Sequence, residues 1–466
     1  MFAWLEQINH ILWSGPVFVL LVGMGFYLSV RTGVVQIRWL PKAISCLYRS
    51  IRKKDNGNDN RSGYRALCTA LAATVGTGNL AGVAGAIALG GPGVVFWMWV
   101  CGCLGMVLKF AEIVLAMHYR QRTSSGEWLG GPMYMIQNGM PKKFHYLATI
   151  YCFFGVVASF GIGNTTQVNT VIDSIHSICG DAVGNQDLYI NLLLGILMSV
   201  LVGFSFLKGA GKIGEITEKL VPFAAVFYIL LATGVLIMKF DSIPDAFRSI
   251  LLGAFQPQAA TGGVILSVIQ TMRVGAARGI FTNEAGMGTA SIAHASAKTD
   301  PIHQGMLGIV EVFMDTIVIC TMTAFVILVS DIPISYGKDT GIQLTMNAFS
   351  GVYGNWIQIP VTIAVCLFAF ATILGWGLYG ARCAQFLFGQ SVWRVYSYCQ
   401  IGMVILGAVG NTSALWLMSE FVNALMVIPN IFAVMWLSPD FIRGIKGNMS
   451  CDKDISTNGN LDNSYG

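Results

Sequence analysis

The stretch Leu71-Ala72-Ala73-Thr74-Val75-Gly76-Thr77-Gly78-Asn79-Leu80-Ala81-Gly82 decides how this chain is read. It lies inside an apolar block, yet it gathers Gly, Thr and Asn at the block's centre. A Gly in a helix interior costs about 1 kcal/mol relative to Ala. A helix broken here bares N–H and C=O groups. At membrane depth such groups are tolerated only where protein or a polar cavity satisfies them. Freed amides at the start of a half-helix can hold a carboxylate. Freed carbonyls can hold Na⁺ or an ammonium.

A second stretch repeats the pattern: Arg278-Gly279-Ile280-Phe281-Thr282-Asn283-Glu284-Ala285-Gly286-Met287-Gly288-Thr289. Around these two the chain divides into eleven candidate spans. They fall near 14–32, 66–90, 94–118, 146–171, 188–206, 220–238, 261–294, 304–329, 356–380, 395–410 and 415–438. The first apolar run, Pro16 to Leu28, has neither a basic segment before it nor a small-residue cleavage site after it, so it reads as a span. The two interrupted spans are the second and the seventh, with five spans from one to the next. Paired interruptions at corresponding places in two halves point to a transporter's central site. The second span starts on one side and the seventh on the other, so the halves form an inverted repeat. The expected divisions are 1–65 for an extra span and a basic loop, 66–239 and 240–446 for the two repeats, and 447–466 for a disordered tail.

Composition agrees. Of 466 residues 55% are apolar and only 11% charged, against roughly 25% charged in soluble domains. The net charge of +5 does not mark a nucleic-acid binder, because the basic residues fall in alternate loops. The segment 31–65 carries Arg31, Arg38, Lys42, Arg49, Arg52, Lys53, Lys54, Arg61 and Arg65, and the intervening loops carry acids such as Asp241 and Asp331. That alternation predicts a multi-pass membrane protein with the N-terminus outside and the C-terminus in the cytoplasm; the expected location is a bacterial-type cytoplasmic (inner) membrane. Lys53 to Arg61 reads as a flexible loop. The cysteines are scattered, with no metal spacing and no disulfide framework.

Two other readings of the first motif compete with this one. Gly76-x-Gly78-x-x-Ala81 resembles a dinucleotide fingerprint, but no strand precedes it and position 99 is Trp rather than an acid. The glycines could also be simple helix-packing positions. An enzyme is not expected: HExxH, GxSxG and Walker signatures are missing. A channel would require an oligomeric filter or a ring of like charges.

With both breaks placed, the chain resembles the alanine or glycine:cation symporter family of the amino acid–polyamine–organocation superfamily. Gly76 to Ala86 with Gly90-Gly91-Pro92-Gly93, and Phe281 to Gly288, carry the resemblance, which covers residues 14 to about 445. It implies an all-α membrane fold like the sodium-coupled leucine transporter, five plus five helices in an inverted repeat, with one extra N-terminal span. It implies symport of a small neutral amino acid, alanine or glycine, with Na⁺ as coupling ion and no cofactor. The alternatives are H⁺ coupling or a broader specificity on the same fold. By resemblance the substrate site takes in Thr74, Gly76, Thr77, Gly78, Asn79, Gln167, Phe281, Thr282, Glu284 and Trp376. Amides near Thr77 and Gly78 would meet the carboxylate, and carbonyls around Phe281, Thr282 and Glu284 the ammonium. The carbonyls of Ala72 and Val75 with Thr372 would hold Na⁺.

Other buried charges have local expectations. Lys109 and Glu112 are three apart on one helical face and are expected to pair. Arg273 and Arg278 are matched with Glu311 or Asp315. His118, His145, His294 and His303 sit near expected membrane edges and receive no role.

Overall fold

The computed structural model describes residues 3–52, 60–124, 126–179, 187–256, 258–260, 264–266, 268–338, 341–410 and 412–457. Residues 53–59 of the expected flexible loop and 458–466 of the expected disordered tail lie outside the described residues. The last helix runs on as far as Thr457, past Gly447.

Among the described residues, nine unbroken spans and one bent pair are long and apolar enough to cross, and a further broken segment lies between the sixth and the eighth. The unbroken ones are α1 (Gln7–Thr32), α3 (Val94–His118), α4 (Lys142–Ile178), α5 (Leu188–Phe206), α6 (Ala210–Met238), α8 (Pro301–Val329), α9 (Asn355–Phe388), α10 (Gln390–Val409) and α11 (Trp416–Gly447). The second, α2, is a pair bent by 55° between Ser62–Thr74 (α2a) and Thr77–Gly90 (α2b). The seventh, α7, consists of Val268–Asn283 (α7a) and Thr289–His294 (α7b). Neither half of α7 is long enough to cross alone. Strands are confined, among the described residues, to two short hairpins in loops.

The broken spans sit at the centre. α3 packs against both α7a and α8, and α9 against α2a, α4 and α6. α5 pairs with α10 at the periphery, and α1 lies along α11. Leu193, Val200, Phe204, Phe223, Val226, Leu230 and Ile237 on α5 and α6 are exposed, as expected of a face solvated by lipid. The central helices instead bury even their polar side chains: Thr77, Asn79, Lys109, Glu112, Glu311 and Asp315 are 0% exposed.

The half-helix ends find protein partners. The Thr345 hydroxyl donates to the Leu80 carbonyl (3.0 Å) and the Thr271 hydroxyl to the Gly90 carbonyl (2.9 Å). The turn after α2b depends on close backbone approach. A Cβ on Gly93 would fall 2.2 Å from the Gly253 carbonyl carbon, in the helix Ile243–Phe255 that lies across the start of α3. Gly82, in the same motif, has nothing within 4 Å of its Cβ position.

These two glycines should therefore respond differently to one methyl group. Gly93→Ala is expected to lower the thermal unfolding temperature of the purified protein, since overpacking against backbone costs about 1–3 kcal/mol. Gly82→Ala should leave it unchanged or raise it, because Ala is the better helix former by about 1 kcal/mol. Equal melting temperatures for Gly93→Ala and the parent would refute the packing assignment.

Candidate substrate and ion site

At the first break the helix stops for a definable reason. Gly76 is extended, and its amide donates to Asn79 Oδ1 (2.9 Å) instead of to the Ala72 carbonyl. The Asn79 amide closes on the Gly76 carbonyl (3.2 Å), not on that of Val75. The Ala72 and Val75 carbonyls thus lose their helical donors. The Thr77 amide (3.3 Å) and hydroxyl (2.8 Å) both donate to Gln167 Oε1. Gln167 is itself held by donation from Nε2 to the Ile162 carbonyl (3.0 Å). It lies two residues past the end of a π-helical turn, Gly161–Thr165, in α4; such turns are frequent at functional sites. Thr74 turns its hydroxyl back onto the Ala70 carbonyl (3.3 Å), so its side chain serves its own helix.

At the second break Glu284 (φ +54°), Gly286 (φ +89°) and Gly288 (φ +75°) all adopt positive φ. Asn283 Oδ1 accepts the Ala285 amide (3.0 Å) that would otherwise close on the Phe281 carbonyl. The Glu284 carbonyl is taken by the Met287 amide (3.2 Å). Its carboxylate accepts from the Thr289 hydroxyl (2.6 Å) and faces the Trp376 side chain. Glu284 is thus held by both its side chain and its backbone.

The two breaks face each other. A Cβ on Gly78 would meet only Thr282 Cγ2, at 3.6 Å. A Cβ on Gly76 would lie 2.4 Å from Thr372 Oγ1, which places the α9 hydroxyl against the first break. Thr372 Oγ1 is buried and has no hydrogen-bond partner. A buried hydroxyl without a partner is costly, and its oxygen is of the hard type that suits an alkali cation. Asp315, in a second π-helical segment (Phe313–Cys320) of α8, ties the breaks together. It accepts from Asn79 Nδ2 at Oδ1 (2.6 Å) and from the Thr316 hydroxyl at Oδ2 (2.9 Å). Asn283 Nδ2 donates in turn to that hydroxyl (3.1 Å).

The site is covered on the side of the Arg278 end of α7a. Phe281 packs on Trp416 with centroids 5.8 Å apart. The Arg278 guanidinium lies 5.7 Å from both rings and pairs with Glu420 (3.6 Å). On the opposite side, where the basic loops gather, a cavity of about 230 Å³ opens among Arg65, Thr69, Trp128, Gly214, Ile292 and Arg382. Its deepest α2a residue, Thr69, precedes Gly76 by about 10 Å of helix.

Residues 1–458 match the family described as the sodium:alanine symporter family. The chain belongs to it. The sodium/alanine symporter AgcS of Methanococcus maripaludis is 39% identical over 93% of this chain and 94% of its own. A probable sodium/glutamine symporter of Bacillus subtilis, GlnT, is 33% identical over 94% of this chain and 88% of its own. Among solved structures, MhsT in complex with L-phenylalanine superposes with a TM-score of 0.58 at 14% identity, covering 80% of this chain and 88% of that one. The likeness extends to the fold, the inverted-repeat architecture of the sodium-coupled leucine transporter.

Within this family frame, the structure brings together most residues expected from sequence: Gly76, Thr77, Gly78, Asn79, Gln167, Thr282, Glu284, Thr372 and Trp376. It corrects three expectations. Lys109 pairs not with Glu112 but with Glu311 across to α8 (3.2 Å), because the helix spacing that permits a local pair does not outweigh a partner on a packed neighbour. Arg278 reaches Glu420, leaving Glu311 to Lys109 and Asp315 to Asn79. His294, given no role, is fully buried: its Nε2 meets Glu311 Oε2 (3.1 Å) and Gln304 Nε2 donates to its Nδ1 (2.6 Å). Sequence reading missed Trp416, Glu420 and Asn430. Trp416 and Glu420 are four apart and share a helix face, a signal that gains meaning only once Arg278 lies opposite.

Gly78→Val should fill the gap between the breaks without disturbing the fold, since the nearest atom is the end of a side chain. The variant is expected to insert and purify normally and to lose amino-acid uptake. Normal uptake by a well-folded variant would remove Gly78 from the site.

Proposed function

We propose that this protein imports a small neutral amino acid, alanine or glycine, together with Na⁺, by alternating access between the two sides of a bacterial-type inner membrane. The observation that carries this reading is two facing broken helices, the first of which sets its break against the partnerless hydroxyl of Thr372. The same break leaves the Ala72 and Val75 carbonyl oxygens without their helical donors, and with that hydroxyl they make a set suited to Na⁺. Thr372 with the Ala72 and Val75 carbonyls is the proposed ion site.

The amino acid is assigned to the space between Gly78 and Thr282. Gln167 Oε1 occupies the Thr77 amide and hydroxyl as a carboxylate oxygen would, so a substrate carboxylate competes with Gln167 for those donors. The free Phe281 carbonyl is the acceptor assigned to the ammonium. Trp376 forms the wall on the α9 side. A Cβ on Gly163 would lie 2.2 Å from the Trp376 Cβ, so the indole has little room to withdraw. The name of the 39%-identical relative supports alanine as the substrate class.

The same reading divides the chain into an extra N-terminal unit (1–65), two inverted repeats (66–239 and 240–446) and a tail (447–466). It puts the basic-loop end, with its cavity, in the cytoplasm, the C-terminus on that side and the N-terminus outside. The stack of Phe281 on Trp416 with the Arg278–Glu420 pair then acts as the outer plug, closed while the cytoplasmic vestibule is open.

Thr372→Ala tests the ion site. The Na⁺ concentration for half-maximal alanine uptake into proteoliposomes should rise severalfold, with far less effect on alanine affinity at saturating Na⁺. An unchanged Na⁺ dependence with altered alanine affinity would move Thr372 to the substrate pocket, and uptake driven by a pH gradient alone would replace Na⁺ with H⁺.

Competition against labelled alanine tests the pocket. Glycine should compete, and leucine and phenylalanine should not, because enlarging a packed wall costs about 1–3 kcal/mol or more. Trp376→Ala should admit leucine while alanine uptake survives. Leucine or glutamine competing as well as glycine in the parent protein would make it a transporter of broader specificity.

A further inference from the structure

The membrane interior beside the second break holds more acid than base. Lys109 Nζ faces three carboxyl groups, those of Glu311, Glu284 and Glu112. Its ion pair goes to Glu311, which His294 also contacts. Glu112, in the middle of α3, receives an amide instead. Asn430 Nδ2 on α11 donates to Glu112 Oε1 (2.5 Å) and to the Gly286 carbonyl (2.8 Å).

Two acceptors fix the Asn430 amide with its nitrogen towards Glu112. The other atom of each planar group is then left over. Glu112 Oε2 and Asn430 Oδ1 are both buried, and neither has a hydrogen-bond partner. Two acceptor oxygens with no donor, one on each side of a single contact, are the heavy-atom pattern of a carboxylic acid paired with a primary amide. The one missing element is a hydrogen. A proton on Oε2 would supply the donor, giving two bonds: Nδ2–H to Oε1 and Oε2–H to Oδ1. An ionised Glu112 would bury a charge whose nearest cation already serves Glu311, and an unpaired buried charge costs far more than neutralising the group.

We propose that Glu112 is a proton-binding site, a neutral carboxylic acid held in a doubly hydrogen-bonded pair with Asn430. The groups that face it are Lys109 on its own helix, Glu311 on α8, Tyr151 on α4, and Glu284 and the Gly286 amide from the second break. Asn430 also holds the Gly286 carbonyl, so the proton is linked to the shape of that break. Release of the proton to water would remove the bond to Oδ1, set two oxygens against each other and loosen the grip on Gly286. The site stands apart from the proposed Na⁺ ligands and does not depend on them.

The test is infrared spectroscopy of the lipid-reconstituted protein at neutral pH, comparing the parent with Glu112→Gln. Gln carries the donor and acceptor needed for the same two bonds, so the variant should fold normally. It should lack one protonated-carboxyl carbonyl band that the parent shows and that disappears from the parent as pH is raised. Asn430→Ala should shift this band upward in frequency rather than abolish it, which a merely structural contact would not do. A spectrum in which Glu112→Gln removes no such band means Glu112 is ionised, and the proposal fails. A carboxylate band lost in Glu112→Gln that responds to Na⁺ would make this a cation site and equally overturn it. Failure of Glu112→Gln to fold also counts against it, because a neutral side chain making the same bonds must be accepted.

Discussion

A peptide group inside hydrocarbon has no water to bond to, and every feature of this structure answers to that constraint. Nine of the crossings meet it as continuous helices. α2 and α7 do not, and their opened turns survive because side chains stand in for the missing backbone partners. Asn79 Oδ1 takes the Gly76 amide, Asn283 Oδ1 takes the Ala285 amide, and Tyr151 Oη donates to the Met287 carbonyl (2.9 Å). The carbonyls still without donors mark where a cation gains most. The constraint that makes a broken helix expensive thus also makes it selective.

The surrounding polar side chains work as a connected set. Asp315 bridges Asn79 of one break to Asn283 of the other through Thr316, so neither break can change shape alone. On the basic-loop side Gln304 Nε2 reaches the Gly63 carbonyl at the start of α2a (3.0 Å) and His294 in α7b. His294 continues to Glu311 and so to Lys109. A half-helix that swings must break side-chain bonds inside the protein, not merely slide over methyl groups. Wholly buried networks of this kind favour a few discrete arrangements over a continuum.

Sequence carried the fold and the floor of the site because both are written locally. Gly, Thr and Asn clustered in apolar sequence announce irregular backbone, a break in α2 and α7 and a π-helical turn in α4, and ten of the eleven apolar blocks fall on nine unbroken spans and one bent pair. The partners of buried charges were not legible, because they are set by packing between distant segments. Lys109 and Glu311 are 202 positions apart and Glu112 and Asn430 are 318 apart. Helical spacing offered Glu112 to Lys109, and tertiary contact overrode it. Trp416 was hidden for the same reason: an aromatic at the end of an apolar span gives no sign of what it covers.

The vestibule has an electrical consequence. Water reaching Thr69 carries the potential of the bulk phase with it, and α7b, only six residues long, spans about 9 Å of the bilayer beneath the second break. With that end in the cytoplasm, the transmembrane voltage drops across the packed protein between Thr69 and the layer of Phe281, Trp416, Arg278 and Glu420, not across the full thickness of the membrane. On the proposed reading, a cation arriving from outside crosses the outer part of that field to reach Thr372 and the rest, over about 10 Å of packed helix, on leaving. At about 2.3 kcal/mol per charge per 100 mV, the resting potential then acts on loading and on release alike. Release into the vestibule answers to voltage as well as to chemistry and concentration.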